Sequence, residues 1–300
     1  DDPTHGRVDY VNQTTALATN LTYATHTKFY MSADSTSIIP TSSRGRPSIR
    51  ISSQDTFADS IIVLDLAHMP EGCSTWPAFW TLSSGTHGGW PNGGEIDIIE
   101  GVNNQATNLA SLHTTSNCQM PQNRIQSGST TSTNCDVAFN YNQGCGVSFA
   151  GDETYGSGFN KAGGGWYVMM RDGEGVKVWF WSRNDPRTPL EVREGWDDIV
   201  GGGLLWGIPQ AYFPMYSLDS HQGPLDSLSP PSGGCEYEDH FDEHRMVFDL
   251  TFCGDWAGSV WSTSGCGTGT CEDYVNNNPE AFANAYWEVN SIRVYTPARA

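Results

Sequence analysis

The sequence predicts an all-β protein built as a sandwich or barrel of short strands. Alternating or β-branched runs recur between clusters of Gly, Asn, Pro and Ser. Runs such as KVWFW (177–181) and EVNSIRVY (288–295) are typical of strands that enclose a core between two sheets. Helical periodicity is scarce, and neither a repeat nor a long linker divides the 300 residues. We therefore expect residues 1–300 to form a single domain.

The runs that predict strands share β-branched or aromatic residues bounded by turn formers. They are 48–52, 60–67, 95–101, 166–170, 176–181, 246–252 and 286–295. One helix is predicted over 279–285, with Asn278 as its cap and Pro279 in its first turn. The polar stretches 117–159 and 216–239 predict long cysteine-bearing loops that shape a binding cleft.

The charge balance excludes some partners. The chain carries 34 acidic and 15 basic residues, a formal net charge of −19, which repels phosphate backbones and anionic membrane surfaces. No apolar run approaches the roughly 18 residues that a membrane-spanning helix needs. We expect neither a nucleic acid nor a membrane partner. Abundant Trp, Tyr, Asn and Gly suit a neutral, hydroxyl-rich ligand such as a carbohydrate.

Eight cysteines without a CxxC pair favour disulfides over zinc. Their spacing leaves the pairing open, although Cys266 and Cys271 flank a short Gly-rich loop and are able to close it locally. Two glycosylation sequons begin at Asn12 and Asn20. Together these features predict a secreted, extracellular protein.

The most informative segment is WPNGGEIDIIEG (90–101), where three carboxylates lie among strand-forming isoleucines. In a regular strand Glu95 and Asp97 share one face, while Glu100 points to the opposite, apolar face. Because a buried unpaired carboxylate is costly, we predict a β-bulge at residues 98–99 that returns Glu100 to the face of the other two acids.

Three acids on one face suit glycosidic bond cleavage, which requires a carboxylate nucleophile and a carboxylic acid proton donor. Asp97 is placed to orient one glutamate, and repulsion among the three raises at least one pKa. The alternatives are a solvent-facing acidic strand and a calcium site. An EF-type loop needs DxDxDG spacing, which is absent.

This segment resembles the ExDxxE strand of glycoside hydrolase family 16, in the laminarinase branch that carries a bulge. Licheninases and xyloglucan transglycosylases have ExDxE instead. The likeness extends to GRPSIRI (45–51), HMPEGCSTWPAFW (68–80), LHTTSNC (112–118), FCGDWAG (252–258) and DYVNNNPEAFANAYW (273–287). The whole set is similar to fungal secreted laminarinases.

The resemblance implies a β-jelly-roll sandwich, concanavalin A-like, with a concave substrate cleft. It assigns Glu95 as nucleophile, Glu100 as acid/base and Asp97 as their supporting residue. It implies no cofactor, and it allows a structural calcium ion for which the sequence offers no ligand set. Family members usually begin with a further N-terminal strand, which leaves the edge of one sheet open here.

Six other residues are candidates for substrate binding. The PNGG turn at 91–94 is expected to hold Trp90 out at the cleft rim as a platform for glucose rings. Trp80, Trp256 and His113 rest mainly on the resemblance, which places His113 beside the acids. Arg50 and Asn92 are expected to bind sugar hydroxyls, with a surface salt bridge the alternative for Arg50.

A second acidic segment, HFDEH (240–244), carries two histidines at a spacing that on a helix can bind a metal. It lacks HExxH and helical periodicity, so we interpret His240 and His244 as solvated loop residues and predict no metal site.

These features lead to three hypotheses. The first is a retaining endo-β-1,3(4)-glucanase, a monomer acting on laminarin-type and mixed-linkage glucans. The second is a cell-wall glucan transglycosylase that shares the covalent intermediate. The third is an inactive glucan-binding jelly roll, against which all three acids argue, since a lectin needs no proton donor.

Overall fold

Two antiparallel sheets form the framework of the computed structural model, which describes residues 2–199, 205–216 and 234–298. Each sheet has seven strands within these ranges. Apolar side chains alternate along most strands, so that one face of each sheet packs against the other sheet. The all-β sandwich expected from the sequence is confirmed.

The first sheet, here the acidic sheet, carries the segment that the sequence singled out. In spatial order its strands are β10 (Ser129–Thr130), β11 (Cys145–Ser148), β9 (Leu109–His113), β8 (Glu95–Glu100), β7 (Thr75–Ser83), β15 (His244–Phe252) and β5 (Arg50–Ser52). The acids therefore lie on a central strand, flanked by β9 on one side and β7 on the other.

The second sheet, here the outer sheet, closes the sandwich. Its spatial order is β14 (Ala211–Pro214), β13 (Gly175–Ser182), β12 (Gly165–Asp172), β6 (Ser60–His68), β16 (Tyr286–Tyr295), β3 (Phe29–Ser32) and β2 (Thr22–Ala24). The edge that the resemblance left open is thus formed by two N-terminal strands, β2 and β3.

Smaller elements connect the sheets. A parallel pair joins β1 (Val8–Tyr10) to β4 (Arg46–Ser48), so the predicted strand over 48–52 is divided between β4 and β5. The helices are short: α1 (Gln13–Ala18), α2 (Gly156–Lys161), α3 (Leu190–Glu194), α4 (Tyr237–His240) and α5 (Cys271–Asn277). None of those in the described ranges is long and apolar enough to cross a membrane.

The helix predicted over 279–285 is wrong in its extent. Residues Pro279–Phe282 form a single 3-10 turn, and the α-helix of this region precedes it at α5. Asn278 occupies the N-cap position of this turn, with Pro279 as its first residue as predicted, but its side chain makes no capping bond to the turn. It donates instead to the Tyr274 carbonyl at the end of α5, whose N-cap is Thr270.

The core lies between the sheets and is rich in aromatic rings. Phe79 of β7 and Phe248 of β15 stack with centroids 4.3 Å apart, and Trp287 of the outer sheet meets Phe248 edge-on at 5.2 Å. A smaller apolar cluster on the far side of the outer sheet packs Trp179 against Trp206. Burial of this apolar area is the main favourable contribution to folding.

Four disulfides use all eight cysteines: Cys73–Cys266, Cys118–Cys235, Cys135–Cys145 and Cys253–Cys271. The local closure suggested for Cys266 and Cys271 is wrong, since each bonds to a cysteine of another segment. Two of the bridges pin the 117–159 segment, as expected of a long loop. Most of the second predicted loop, residues 217–233, lies outside the described residues.

The predicted bulge is present on β8. Pairing with β7 runs from Asp97 opposite Trp80 directly to Ile99 opposite Phe79, so that Ile98 is the extra residue. Ile96, Ile98 and Ile99 are all buried in the core. The buried Asn108 side chain binds the irregular backbone, donating to the Ile98 carbonyl (2.8 Å) and accepting from the Glu100 amide (3.0 Å).

Deleting Ile98 is expected to destabilise the fold far more than shortening its side chain. Deletion leaves the sequence EIDIE, which as a regular strand still keeps the three acids on one face, but it removes a buried isoleucine and leaves the buried Asn108 side chain without its bulge partners, so we expect the free energy of unfolding to fall by more than about 3 kcal/mol. The Ile98→Val control keeps the bulge and should cost about 1 kcal/mol. Urea denaturation measures both, and equal losses would contradict this account of the bulge.

Candidate active site

Glu95, Asp97 and Glu100 lie on the face of β8 that points away from the core, because the isoleucines between them occupy the opposite face. Across the sheet, Glu100 is opposite Ala78 of β7, and Glu95 is opposite His113 of β9. Asp97 is buried, whereas Glu95 and Glu100 are partly exposed. The bulge thus brings the three acids to one surface, as the sequence predicted.

Glu100 accepts a hydrogen bond from the indole Nε1 of Trp76 at 2.8 Å. Burial, reinforced by the charge of Asp97, raises the pKa of Glu100 to about 8, while the Trp76 hydrogen bond opposes the rise. At neutral pH this carboxyl group therefore carries a proton.

Glu95 accepts a hydrogen bond from the indole Nε1 of Trp90 at 2.5 Å. Burial raises the pKa of Glu95, but the charge of His113 and the hydrogen bond from Trp90 oppose the rise. Glu95 is thus surrounded by groups that stabilise its ionised form, whereas Glu100 accepts a hydrogen bond from a single indole. The two environments separate a proton donor from a carboxylate anion.

Asp97 and His113 form an ion pair between the two glutamates. The His113 Nε2 lies 3.2 Å from the Asp97 Oδ2, and its Nδ1 is 2.8 Å from the Asn142 Oδ1. Burial lowers the pKa of His113, yet the bond to Asp97 and the charge of Glu95 outweigh burial and raise the pKa to about 10. His113 is therefore a cation at neutral pH, placed beside the acids as the resemblance implied.

Trp90 is 46% exposed, as expected for a side chain at the rim. The turn beneath it is fixed by His244, whose Nε2 donates to the Gly93 carbonyl at 2.7 Å. Gly94 has a φ of +80°, and a Cβ there would lie 2.6 Å from the His240 carbonyl oxygen. Asn92 is exposed on the same turn.

Trp80 lies beside Asp97 on the neighbouring strand, and Arg50 covers its ring with the guanidinium 5.0 Å from the centroid. Arg50 also faces Asp249 at 3.9 Å, a partly buried ion pair rather than the surface bridge considered as the alternative. Trp256 lies on the Gly254–Gly258 turn, edge-on to Trp76 at 5.7 Å.

Four residues of the site were not found from the sequence: Trp76, Asn108, Asn142 and Asp249. Trp76 had a signal, since it lies four residues before Trp80 in a strand and therefore on the same face. Burial raises the pKa of Asp249 to about 7 against the opposing charge of Arg50. Asn108 and Asn142 reach the site from segments between the strands, and no sequence pattern marks them.

The interpretation of His240 and His244 as solvated residues is wrong. Both are buried: His240 lies 3.2 Å from the Thr115 hydroxyl, and the His244 Nδ1 lies 2.8 Å from that of Thr81. They take part in separate hydrogen-bond networks, because His240 ends α4 whereas His244 begins β15. Burial and the charge of Arg171 lower the pKa of His244 to about 3, so it remains neutral.

Two groups of side chains in the described ranges have metal-ligand atoms within 4.8 Å of one another. One consists of Cys118, Cys235 and His240, and its sulfurs are bonded to each other. The other is Glu95, Asp97 and His113, where the imidazole would have to release a proton before it could bind a metal.

Replacing Glu100 by glutamine should stabilise the fold in a pH-dependent way. A raised carboxyl pKa contributes stability that is complete below the ordinary value of 4.5 and is lost as the pH rises through about 8. Glu100→Gln has no carboxyl group at this position and so does not lose this stability. The free energy of unfolding of the variant, measured relative to that of the parent, should therefore rise by on the order of 2 kcal/mol between pH 4.5 and 9.

Urea denaturation at several pH values measures this difference. Glu280→Gln, at an exposed glutamate, is the matched control and should give the same offset at every pH. A pH-independent offset for Glu100→Gln would contradict the raised pKa.

The chain is similar in sequence to known proteins. A probable glycosidase of Schizosaccharomyces pombe is 41% identical over 98% of this chain and 64% of its own length. A probable endo-1,3(4)-beta-glucanase of Aspergillus niger is 38% identical over 98% of this chain and 37% of its own. The chain thus spans under two thirds of these relatives.

Two solved structures match over 98% of this chain and 92% of their own. The family 16 laminarinase of Phanerochaete chrysosporium, solved with 6-O-glucosyl-laminaritriose in donor and acceptor sites, is 47% identical with a TM-score of 0.88. An elongating family 16 β-1,3-glucosyltransferase is 36% identical with a TM-score of 0.83. These neighbours identify the sandwich as a jelly roll.

The model of the XgeA-like, catalytic GH16 domain matches residues 1–295. The match includes both sheets, the bulged strand and its three acids. The chain belongs to glycoside hydrolase family 16.

Proposed function

We propose that this chain is a retaining endo-β-1,3(4)-glucanase that hydrolyses laminarin-type and mixed-linkage β-glucans. The observation that carries the proposal is the pair of glutamates on one bulged strand, Glu100 protonated at neutral pH and Glu95 held among donors to its anion. The family 16 membership and the laminarinase neighbour support the same substrate class.

In the first step the Glu95 carboxylate attacks the anomeric carbon and forms a glucosyl ester, while Glu100 gives its proton to the departing glycosidic oxygen. In the second step Glu100, now ionised, takes a proton from water, and the oxygen of that water displaces Glu95 from the sugar. Both carboxyl groups return to their starting states, and two inversions give net retention.

Asp97 and His113 keep the two glutamates in these different states. Asp97 balances the charge of His113, and the positive charge of His113 favours the ionised form of Glu95. The same cation also limits the pKa of Glu100. The pair therefore supplies a fixed dipole beside the reacting carbon without taking up the transferred proton.

Substrate contacts are proposed for the residues around the acids. Trp90, at the rim, is placed to stack on one glucose ring, and Trp256 lies next to the Glu100 partner Trp76. We also propose contacts for the remaining candidates, Trp80, Asn92, His113 and Arg50. Trp80 has a buried Nε1 without a hydrogen-bond partner in the described chain, which a sugar hydroxyl would satisfy.

We also propose that residues 1–300 form a single catalytic domain, which works as a monomer in the extracellular space and without a cofactor. The four disulfides support an oxidising compartment.

Glu95→Gln should abolish turnover of laminarin, and Glu100→Gln should lower it by roughly 10²- to 10⁴-fold, because one removes the nucleophile and the other the proton donor. Glu280→Gln should match the parent. An NMR time course of newly formed reducing ends should show the β-anomer first. Near-normal turnover by Glu95→Gln, or initial α-anomer, would refute the mechanism.

A second candidate function is glucan transfer, in which a sugar hydroxyl replaces water in the second step. The glucosyltransferase neighbour, similar over nearly the whole chain, is the observation that favours it. Chromatography of laminari-oligosaccharide digests tests the choice. We expect products shorter than the substrate, and predominance of longer products would assign the chain to transfer.

The third hypothesis is an inactive glucan-binding jelly roll, and assays of turnover and binding with the same protein preparation test it. Absence of turnover in the parent chain, together with retained binding of laminarin, would favour it over both enzymatic functions.

A further inference from the structure

An open groove of about 860 Å³ lies at the edge of the outer sheet, on a different sheet from the catalytic acids. It is bounded by α1, by strands β2, β3 and β16, and by the loop at residues 34–37. Its volume falls within the roughly 300–1,000 Å³ that ligand sites commonly have. The proposed mechanism does not use it.

One wall of the groove is aromatic. Tyr23 and Tyr30 stack with centroids 4.7 Å apart, and Tyr286 continues the wall at 4.9 Å from Tyr30. These three rings come from neighbouring strands. They point away from the core, because the residues that follow Tyr30 and Tyr286, Met31 and Trp287, are buried in it. Tyr23, at the sheet edge, is 40% exposed.

The opposite wall is rich in hydroxyl and amide groups from α1 and the 34–37 loop. Within the described chain, the side chains of Asn20 and Ser35 form no hydrogen bond and are free to bind a ligand. The carboxylates of Asp34 and Glu288 also line the groove; Asp34 already accepts hydrogen bonds from Thr36 and Ser37, and Glu288 pairs with Lys28 through its Oε1.

The lining selects against other ligands. Among the described residues that line the groove there is no Lys, Arg or His, and the neighbouring cations Lys28 and Arg46 are paired with Glu288 and Asp34, so the lining gives a phosphate or carboxylate ligand no cation to bind. The polar wall is equally unsuited to a lipid chain. A neutral polyhydroxylated molecule satisfies both walls, because its C–H faces pack on rings while its hydroxyls bond to polar groups.

We propose that this groove is a second saccharide-binding site, separate from the active site. The saccharide is either a strand of the β-glucan substrate, an identification that rests on the proposed function, or an N-glycan attached at the Asn20 sequon in the groove wall. A glucan held here would raise the effective concentration of the polymer at the active site.

The test measures laminarin binding by affinity electrophoresis with Glu95→Gln protein that lacks hydrolysis, made without N-glycans. Tyr23→Ala removes part of the aromatic wall, and Ser35→Trp fills the groove. Each should weaken binding of long laminarin by about ten-fold, equivalent to about 1.4 kcal/mol. Laminaritetraose, too short to bridge both sites, should bind the active site as before.

Tyr212→Ala is the matched control, since Tyr212 lies at the opposite edge of the same sheet. It should leave both measurements unchanged, and equal melting temperatures would establish that all variants fold. Binding of long laminarin unaffected by both groove variants would overturn a glucan site. This binding test stands even if the parent chain hydrolyses nothing, so its failure differs from failure of the proposed function.

Glycosylated protein distinguishes the two sources. Thr22→Ala removes the sequon and keeps the Asn20 side chain. If the Asn20 glycan occupies the groove, Thr22→Ala should strengthen laminarin binding, and Ser35→Trp should displace the glycan and make it more sensitive to endoglycosidase. If glucan is the ligand, Thr22→Ala should leave binding unchanged while the groove variants weaken it. No response in either preparation would overturn the saccharide site altogether.

Discussion

The β-bulge at Ile98 is the constraint on which the site depends. If residues 95–100 formed a regular strand without the bulge, Glu100 would face the core, where a carboxylate is costly, and the site would have one glutamate instead of two. The bulge itself needs support, because it leaves backbone groups unpaired in a buried strand. Asn108 supplies both partners, a donor for the Ile98 carbonyl and an acceptor for the Glu100 amide.

The electrostatics follow from this geometry. Three buried or partly buried carboxyl groups on one face cannot all be charged, and the surrounding donors decide which one holds a proton. Trp90 and His113 favour the anion at Glu95, whereas Glu100 has one indole donor and the charge of Asp97 against it. The two glutamates thus acquire different roles from different neighbours, although they are chemically identical.

The sandwich also separates two surfaces with different chemistry. The acidic sheet presents the carboxyl groups and tryptophans of the active site, while the edge of the outer sheet presents tyrosines and uncharged polar groups. Because the core lies between them, a ligand at one surface does not contact the other. Coupling between the sites therefore requires a polymer long enough to reach both, which explains why short and long glucans should respond differently.

The sequence by itself determined seven strand-forming runs, the bulge and the three acids, since these depend on local alternation and on the cost of burying Glu100. It did not reveal β7, because Pro77 argues against a central strand, nor the burial of His244. Trp76, Asn108, Asn142 and Asp249 reach the site only through contacts between distant segments. The disulfide pairs, the pKa differences and the groove under Tyr23 likewise arise from packing, so only the tertiary structure decided them.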